Sequence, residues 1–530
     1  MVAWLNSTPS SNGRQAFVSR GFRVDEYTSK QLQDPNNLAG LAAVVFIQHA
    51  EKPTQISKQL EAHIKLLLDY DCRIILRSAS KETTPGSKEL IQFDSIITNT
   101  LSRLRIPTGS VPFREASKFN AWQRYEDGDP PLPHAHIFSH NASWNVIANF
   151  VAEHPPDKAP NPYLNILING KPPKYLRCSR EILLRRAFWN CSEVDLIPES
   201  EGKSGVDVYR AYADLESGHF GPWPLPYFVK IGERNKILVE YENYKNHVDP
   251  YIPFHLGPHL IHERCGLGAC EGIIVGDYVE ESESLKACAR DGRAAQAISS
   301  LFHTTLHGWY RNTNQTDAPL STHFNFPEFK SKDAKSRIEK AKELGAQKSP
   351  DQLFELFKRS DSALPVLMGP IHGDLHANNI RVRVTDAIVI DFVAYKNKPL
   401  VYDAACLEAS LLVEGFSDFD INDDVLLWMG ALQPFYEHPK LLEMRIHHHP
   451  KHESSWFYAC IRQIRLYARQ MECCANQYAA TLALALLKKS SKDLTVAGSE
   501  SIRRAAAYVF AEKVLVSTFG ENHEHSNAAA

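Results

Sequence analysis

The chain has 530 residues, a formal net charge of −3, 43% hydrophobic and 23% charged side chains, and a mean hydropathy of −0.32. This is the balance of a globular protein too long for one ordinary core, so two or three domains are expected. It offers no global basic field to recruit nucleic acid or anionic membrane, and no stretch of about 18 uninterrupted apolar residues that would span a bilayer. The start, Met1 to Arg20, has no apolar segment of the secretory kind, and the ten cysteines lack zinc spacing. Reduced thiols and a cytoplasmic location are expected.

Residues 1–38 read as a polar lead-in, from the Ser7 to Asn12 and Asp34 to Asn37 stretches. Ala42-Ala43-Val44-Val45-Phe46-Ile47 is a short continuous apolar run that fits a buried parallel strand. Ile56, Leu60, His63, Ile64 and Leu67 follow at helical spacing, then Cys72 to Leu76 as a strand and Leu90 to Leu104 as an amphipathic segment. Ala135 to Phe138 reads as a strand and Trp144 to Val151 as a helix. Strands alternating with helices predict an α/β domain over 39–175, an open, mostly parallel sheet of flavodoxin or receiver type. No Gly-x-Gly-x-x-Gly follows a strand, so a dinucleotide site is not supported. His49 and Glu51 lie at the end of the first strand, where a receiver would need an acidic cluster; they read as polar strand-end residues. A role in sensing, docking to a protein partner or self-association is expected for this domain. Pro155 to Pro173 reads as a linker, with Leu164 to Ile168 closing the first sheet.

Residues 176–280 read as a second, β-rich lobe. A short helix over Glu181 to Trp189 precedes Val194 to Ile197, the turn Gly202-Lys203-Ser204-Gly205, and Val206 to Tyr212. Strand, glycine turn and strand suit a loop whose N–H groups approach phosphates. It is not a Walker A loop, because the upstream glycine is missing and an alternating strand follows. Lys230 lies on the strand Pro226 to Ile231, where an ammonium can neutralise phosphates if a carboxylate from the next helix holds it. Glu240, on the same helical face as Tyr244 and Val248, is the expected partner, with Glu242 as the alternative. Gly218 to Pro224 reads as a hairpin insertion. Gly272 to Val279 reads as a strand leading into a hinge, with Asp277, Tyr278 and Val279 placed to meet a nucleotide base.

The most informative stretch is Ile371-His372-Gly373-Asp374-Leu375-His376-Ala377-Asn378-Asn379-Ile380, followed by Ala387-Ile388-Val389-Ile390-Asp391-Phe392. It supplies a carboxylate on a loop, an amide five residues later and a second carboxylate at a strand end. Kinase-type phosphoryl transfer requires that set: a base beside the acceptor hydroxyl, Asp374, and two oxygen ligands for Mg²⁺, Asn379 and Asp391. Gly373 allows a sharp turn, and His376 is placed to orient the loop.

The ordered combination of His372-Gly373-Asp374, Asn379 and Ile390-Asp391-Phe392 resembles the aminoglycoside phosphotransferase and choline kinase branch of the protein-kinase-like fold. It is most similar to the bacterial ternary complex associated kinase-like domains, suggested to act in conflict systems. Leu400 to Glu408 also resembles that branch, which implies that Asp403 braces the catalytic loop together with His372. The resemblance implies a bilobal kinase-like domain, with an N-lobe over 176–280, a helical C-lobe over 281–520 and a disordered tail over 521–530. Helices are expected over Leu285 to Tyr310, within Phe324 to Leu364, and over Cys406 to Val413, Val425 to Phe435, Trp456 to Leu487 and Ile502 to Val516. The run His447 to His452 reads as a solvated loop. The expected function is ATP- and Mg²⁺-dependent phosphotransfer to a hydroxyl of a small molecule, a nucleotide or a protein. The alternatives are a nucleotide-binding pseudokinase and a nucleotidyltransferase on the same fold.

Overall fold

The computed structural model describes residues 1–5, 8–28, 30–31, 35–38, 41–48, 65–78, 135–138, 142–153, 158–200, 206–216, 226–416, 424–438, 441–443, 455–492 and 498–520. These form two compact units. The first comprises Met1–Tyr241 and His259–Tyr278, the second Glu242–Pro258 and Val279–Ala530.

The first unit opens with a five-stranded sheet of β1 (Val2–Leu5), β2 (Val24–Tyr27), β3 (Ala43–Gln48), β4 (Arg73–Ser78) and β5 (Ala135–Phe138). All pairings are parallel and the order is β2-β1-β3-β4-β5. Alternate residues of β1 serve opposite cores, as the strand period of two requires. Val2 and Trp4 pack with helices α1 (Ser11–Val18) and α2 (Trp144–Glu153) through Phe17, Trp144, Ile147 and Val151. Ala3 and Leu5 pack on the other side with Val44, Leu67, Leu68 and Ile74.

Residues 1–38 are therefore not a polar lead-in, since they supply β1, β2 and α1. The apolar signal of β1 is only four residues long, and the serine- and asparagine-rich stretch after it starts a helix. Ser10 Oγ accepts from Gly13 N at 3.1 Å and caps α1. His49, Glu51, the Ile56 to Ile64 part of the helical pattern and the Leu90 to Leu104 segment lie outside the described residues. So do the His447 to His452 run and residues 521–530.

The same unit contains a six-stranded sheet. Its strands are β6 (Asn165–Ile168), β7 (Cys191–Ser200), β8 (Asp207–Leu215), β9 (Tyr227–Glu233), β10 (Gly266–Leu267) and β11 (Glu271–Asp277), in the order β10-β11-β9-β8-β7-β6. The Leu164 to Ile168 segment does not close the first sheet; β6 pairs parallel with β7, Ile166 opposite Val194. Its apolar residues Leu164 and Ile166 are buried in the core of this second sheet, with Leu183, Leu184 and Phe188 in and just after helix α3 (Cys178–Ala187).

The two sheets are joined by burial as well as by chain. Ile182 of α3 and Ala269, between β10 and β11, belong to the Ala3–Leu5–Ile74 core. Asp69 Oδ1 accepts from Ala269 N at 2.8 Å, and Arg186 donates to the Asp69 carbonyl at 2.9 Å. Burial raises the Asp69 carboxyl to about 6, against the pull of that N–H and of Arg186.

The second unit has two three-stranded sheets. One is ordered β12 (Glu283–Ser284), β15 (Ile380–Arg383), β16 (Asp386–Val389); the other β13 (Asn314–Thr316), β14 (Val366–Ile371), β17 (Lys396–Pro399). The rest is largely helical. Helix α4 (Arg234–Asn243) ends in this unit, and α5 (Lys332–Glu343), α6 (Pro350–Lys358), α7 (Val401–Ser410), α8 (Ser455–Met471), α9 (Gln477–Ser491) and α10 (Ser499–Phe519) follow. Leu285 to Tyr310 is divided into short helical pieces. The single helix expected over Trp456 to Leu487 is two, α8 and α9, separated where Asn476 takes φ of 72°. Glu472, Cys473, Cys474 and Ala475 occupy the break. A buried ion pair ties these helices to α7: Arg465 Nη2 lies 2.6 Å from Glu408 Oε1, and Tyr478 Oη donates to Glu408 Oε2 at 2.7 Å. Among the described residues, no helix is long and apolar enough to cross a membrane.

Candidate active site

The central stretch begins where β14 ends. Strand β14 pairs antiparallel with β13 and with β17, which fixes Ile371 opposite Lys396. The chain then turns at Gly373, with φ of 81°. A Cβ at that position would lie 2.2 Å from the Ala394 carbonyl oxygen, so both torsion and space demand glycine. The N–H groups presented by this turn are taken by Asp403 in α7. Its Oδ2 accepts from His372 N at 2.7 Å and its Oδ1 from Gly373 N at 3.0 Å. Asp403 is completely buried. Burial pushes its carboxyl up, while His372 and the two N–H donors favour the charged form.

Asp374 comes next and points outward, its side chain 61% exposed and 3.9 Å from His376 Nε2. Burial lowers the His376 pKa, which favours the neutral imidazole beside Asp374. Asn379 closes a short turn, Ala377–Asn379, and its Nδ2 donates to the Asp374 carbonyl at 3.1 Å. With the amide's donor side used to hold the loop, Oδ1 is the side left for a cation.

Strands β15 and β16 form a hairpin with Ile380 opposite Val389, and Ile390 N donates to the Asn379 carbonyl at 2.9 Å. Asp391 therefore emerges at the same end of the hairpin as Asn379. It is exposed and left-handed, φ 70° and ψ 74°, a strained setting for a residue other than glycine. Phe392 anchors the turn. It is buried, its ring centroid lies 5.4 Å from His372 and 5.9 Å from Tyr244, and its carbonyl accepts from Asn243 Nδ2 at 2.8 Å. His372 Nε2 lies 3.0 Å from the Ile390 carbonyl oxygen. This histidine, placed by the sequence in the catalytic motif and expected to brace the loop with Asp403, is fully buried.

Over this segment the chain matches a family model, that of the phosphotransferase enzyme family (APH). The match covers residues 278–425. The matched segment includes the loop, the hairpin and Asp403. Among solved structures, the chain is similar to an amicoumacin kinase, hAmiN, in complex with AMP-PNP, Ca²⁺ and Ami, at 12% identity over 61% of this chain and 88% of that one, TM-score 0.33. It is also similar to a thermostable mutant of aminoglycoside phosphotransferase APH(4)-Ia in a ternary complex with AMP-PNP and hygromycin B, at 12% identity, 64% and 98% coverage and TM-score 0.36. A glucosamine kinase in complex with glucosamine, ADP and inorganic phosphate matches at 10% identity, 60% and 93% coverage and TM-score 0.30. No curated protein matches the chain.

The remaining expected residues lie in or next to the first unit. Lys230 in β9 and Glu240 in α4 are both buried, with Nζ 2.6 Å from Oε2. The partner chosen from helical spacing is thus the carboxylate that the structure brings to this lysine. Gly202, Lys203, Ser204, Gly205 and the Gly218 to Pro224 insertion lie outside the described residues. At the hinge, Asp277 N donates to the His259 carbonyl at 2.8 Å and Tyr278 N to the Pro226 carbonyl at 3.2 Å. Two of the three backbone donors assigned to a base are therefore already used, and Val279 holds the third. The Tyr278 side chain is fixed by Arg210, which donates to its hydroxyl at 2.8 Å, and by Glu199, which accepts from it at 3.1 Å.

Two features beside the loop gave no sequence signal. Ser410 Oγ accepts from Ala377 N at 3.2 Å and donates to Glu414 Oε2 at 2.8 Å. Burial opposes ionisation of Glu414, but Lys489, 2.7 Å away, and Ser410 hold it down at about 2. The second feature is a pair of lysines, Lys398 and Lys488, at the stacked rings of Phe324 and Tyr402, with Lys396 two residues before Lys398 on the same strand. The oxygens that Lys398 and Lys488 reach are 75 and 86 positions away in the chain, so no local spacing marks them. Among the described residues, no group of three or more His, Cys, Asp or Glu side chains is arranged to hold a metal alone. Asn379 and Asp391 fit a Mg²⁺ ion that completes its shell with phosphate oxygens and water.

Proposed function

We propose that this protein is an ATP- and Mg²⁺-dependent phosphotransferase that moves the γ-phosphate to an acceptor hydroxyl. One observation carries the reading: Asp374 is exposed on a loop whose backbone is fixed by buried Asp403, while Asn379 and Asp391 end one hairpin beside it. Asp374 accepts the hydroxyl proton as the new P–O bond forms and the bond to ADP breaks. Its exposure lets an acceptor reach it, and Gly373 and Asp403 set its direction, so that positioning supplies much of the rate. Asn379 Oδ1 and the Asp391 carboxylate would hold Mg²⁺, which when bound neutralises charge on the β- and γ-phosphate oxygens. Lys230, held by Glu240, serves as the ammonium for the α- and β-phosphates, the Gly202–Gly205 loop covers them, and Asp277 to Val279 meets the base through carbonyls and the Val279 N–H.

The order of the first sheet supports a doubly wound domain of flavodoxin type, and we propose that it docks a partner or a second copy of the chain. Signalling or a conflict system would be the setting for such a fusion.

Two isosteric substitutions test the assignment. Asp374→Asn should lower turnover at least ~100-fold and leave Mg·ATP affinity nearly unchanged, since only the proton acceptor is lost. Asp391→Asn should weaken Mg-dependent nucleotide binding as well. Calorimetric titration at fixed Mg²⁺ reads the second effect before any acceptor is known. Equal Mg·ATP binding by both variants would remove Asp391 from the metal site, and absence of nucleotide binding by the parent would end the phosphotransferase reading.

A further inference from the structure

We propose that the acceptor is an anion: a small hydroxyl compound whose phosphate or carboxylate is held by Lys396, Lys398 and Lys488 beside Asp374. The inference rests on the phosphotransferase reading and names the chemical class of its second substrate.

The argument begins with strand β17. Lys396 and Lys398 are two residues apart and so share one face of the strand, opposite Ile371 and Gly369 of β14. That places both on the strand next to the residues that lead into His372-Gly373-Asp374. Lys488 comes from α9 to the same place. Its Nζ donates to the Tyr402 hydroxyl at 3.0 Å and lies 4.8 Å from the Tyr402 ring and 5.4 Å from the Phe324 ring. Lys398 Nζ lies 5.1 Å from that same Phe324 ring and donates to the His323 carbonyl. Phe324 and Tyr402 stack at 5.0 Å, so the two ammonium groups converge on one aromatic pair.

The charges here do not balance. None of the three lysines is in an ion pair among the described residues; the partners of Lys398 and Lys488 are neutral oxygens and ring faces. Two of the neighbouring acids are already engaged, and a third, Asp374, is the exposed base that the acceptor hydroxyl meets. Asp403 is engaged with two backbone N–H groups, and Glu414 is paired with Lys489. The Cys406 thiol is pushed up by burial to about 12 and stays neutral. Burial, with the other lysines, lowers Lys488, and burial and Lys396 lower Lys398. Like charges gathered in partly buried surroundings are costly unless a counter-charge arrives. Asp374 follows Gly373, whose N–H is held by Asp403, the residue after Tyr402, so the anion would sit within a small molecule's length of the base. A cationic acceptor would instead need carboxylates at these positions.

The test is a calorimetric titration of inorganic phosphate into protein saturated with Mg·AMP-PNP, so that the nucleotide's own phosphate contacts are already filled. One phosphate should bind, and Lys398→Met and Lys488→Met should each weaken it ~10-fold or more, the loss expected for one charge-assisted hydrogen bond. Methionine keeps the stem packing on Phe324. Lys396→Met, at an exposed position, gives a variant whose folding is not at issue, and Lys488→Arg should restore binding. ADP release with glycerol, glycerol 3-phosphate, glycerate and ethanolamine then distinguishes the sources of charge. Preference for either anionic compound supports the proposal and tells phosphate from carboxylate; preference for glycerol or ethanolamine overturns it. Failure of AMP-PNP to bind removes the phosphotransferase reading and this inference with it. AMP-PNP binding without lysine-dependent phosphate binding removes the inference alone.

Discussion

Two buried aspartates do similar work in different parts of the molecule. Asp403 accepts two backbone N–H groups from the turn that presents Asp374. Asp69 accepts one, from Ala269, at the junction of the two sheets of the first unit. Both carboxyls are raised by burial. The difference is in what the held backbone does next. At Asp403 it leads directly to exposed Asp374, the base of the proposed phosphotransfer, whereas at Asp69 it leads into a turn between β10 and β11 whose Ala269 packs in the core of the first sheet. A buried acid with backbone donors is thus a fastening device, and its functional meaning comes from the segment it fastens.

The comparison is broken most severely at Asp403. Asp403→Ala leaves two buried N–H groups without an acceptor, which should cost about 2–5 kcal/mol in denaturant unfolding. Turnover should fall along with it, because Asp374 loses its fixed direction. Full activity in a folded Asp403→Ala protein would show that the loop holds itself.

Next in size is Gly373→Ala. The left-handed torsion and the approach of Ala394 O should together cost about 1–3 kcal/mol, and the backbone shift that relieves them moves Asp374. The expected signature is a lower kcat with Mg·ATP affinity retained. An unchanged kcat would mean that the turn tolerates displacement.

The smallest effect of a substitution at neutral pH is expected at Asp69, and its sign is opposite. The folded value of about 6 lies above the ordinary carboxylate value of 3.8, so the folded state binds more protons between pH 4 and 6. Stability should therefore fall as pH rises through that window, by about 2–3 kcal/mol at most. Asp69→Asn keeps an oxygen for Ala269 N and carries no charge. It should flatten this dependence and leave stability at pH 7.5 equal or slightly higher. Thermal melts of both proteins from pH 4 to 8 provide the measurement, and an unchanged slope would show that another group governs it.

What the sequence determined by itself is the chemistry that lies close together along the chain. Asp374 and Asn379 are on one loop, Asp391 is one hairpin further on, and Lys230 and Glu240 are on consecutive elements, so spacing was enough to bring them forward as candidates for the proposed site. Asp403 was legible through the family pattern in which it stands. The parallel character of the first sheet followed from the alternation of apolar runs and helical patterns. Tertiary structure decided the rest. Strand β1 was hidden because four apolar residues give too little periodicity, and β6 joined β7 rather than the first sheet because pairing depends on neighbours across space. The break between α8 and α9 depends on one left-handed residue, Asn476, that an apolar count does not register. Lys488 reaches the Phe324 ring that Lys398 also meets only because α9 packs on α7, which follows β17, about 90 residues away along the chain. Charge balance at a site is a sum over side chains brought together by folding, and no window of sequence contains that sum.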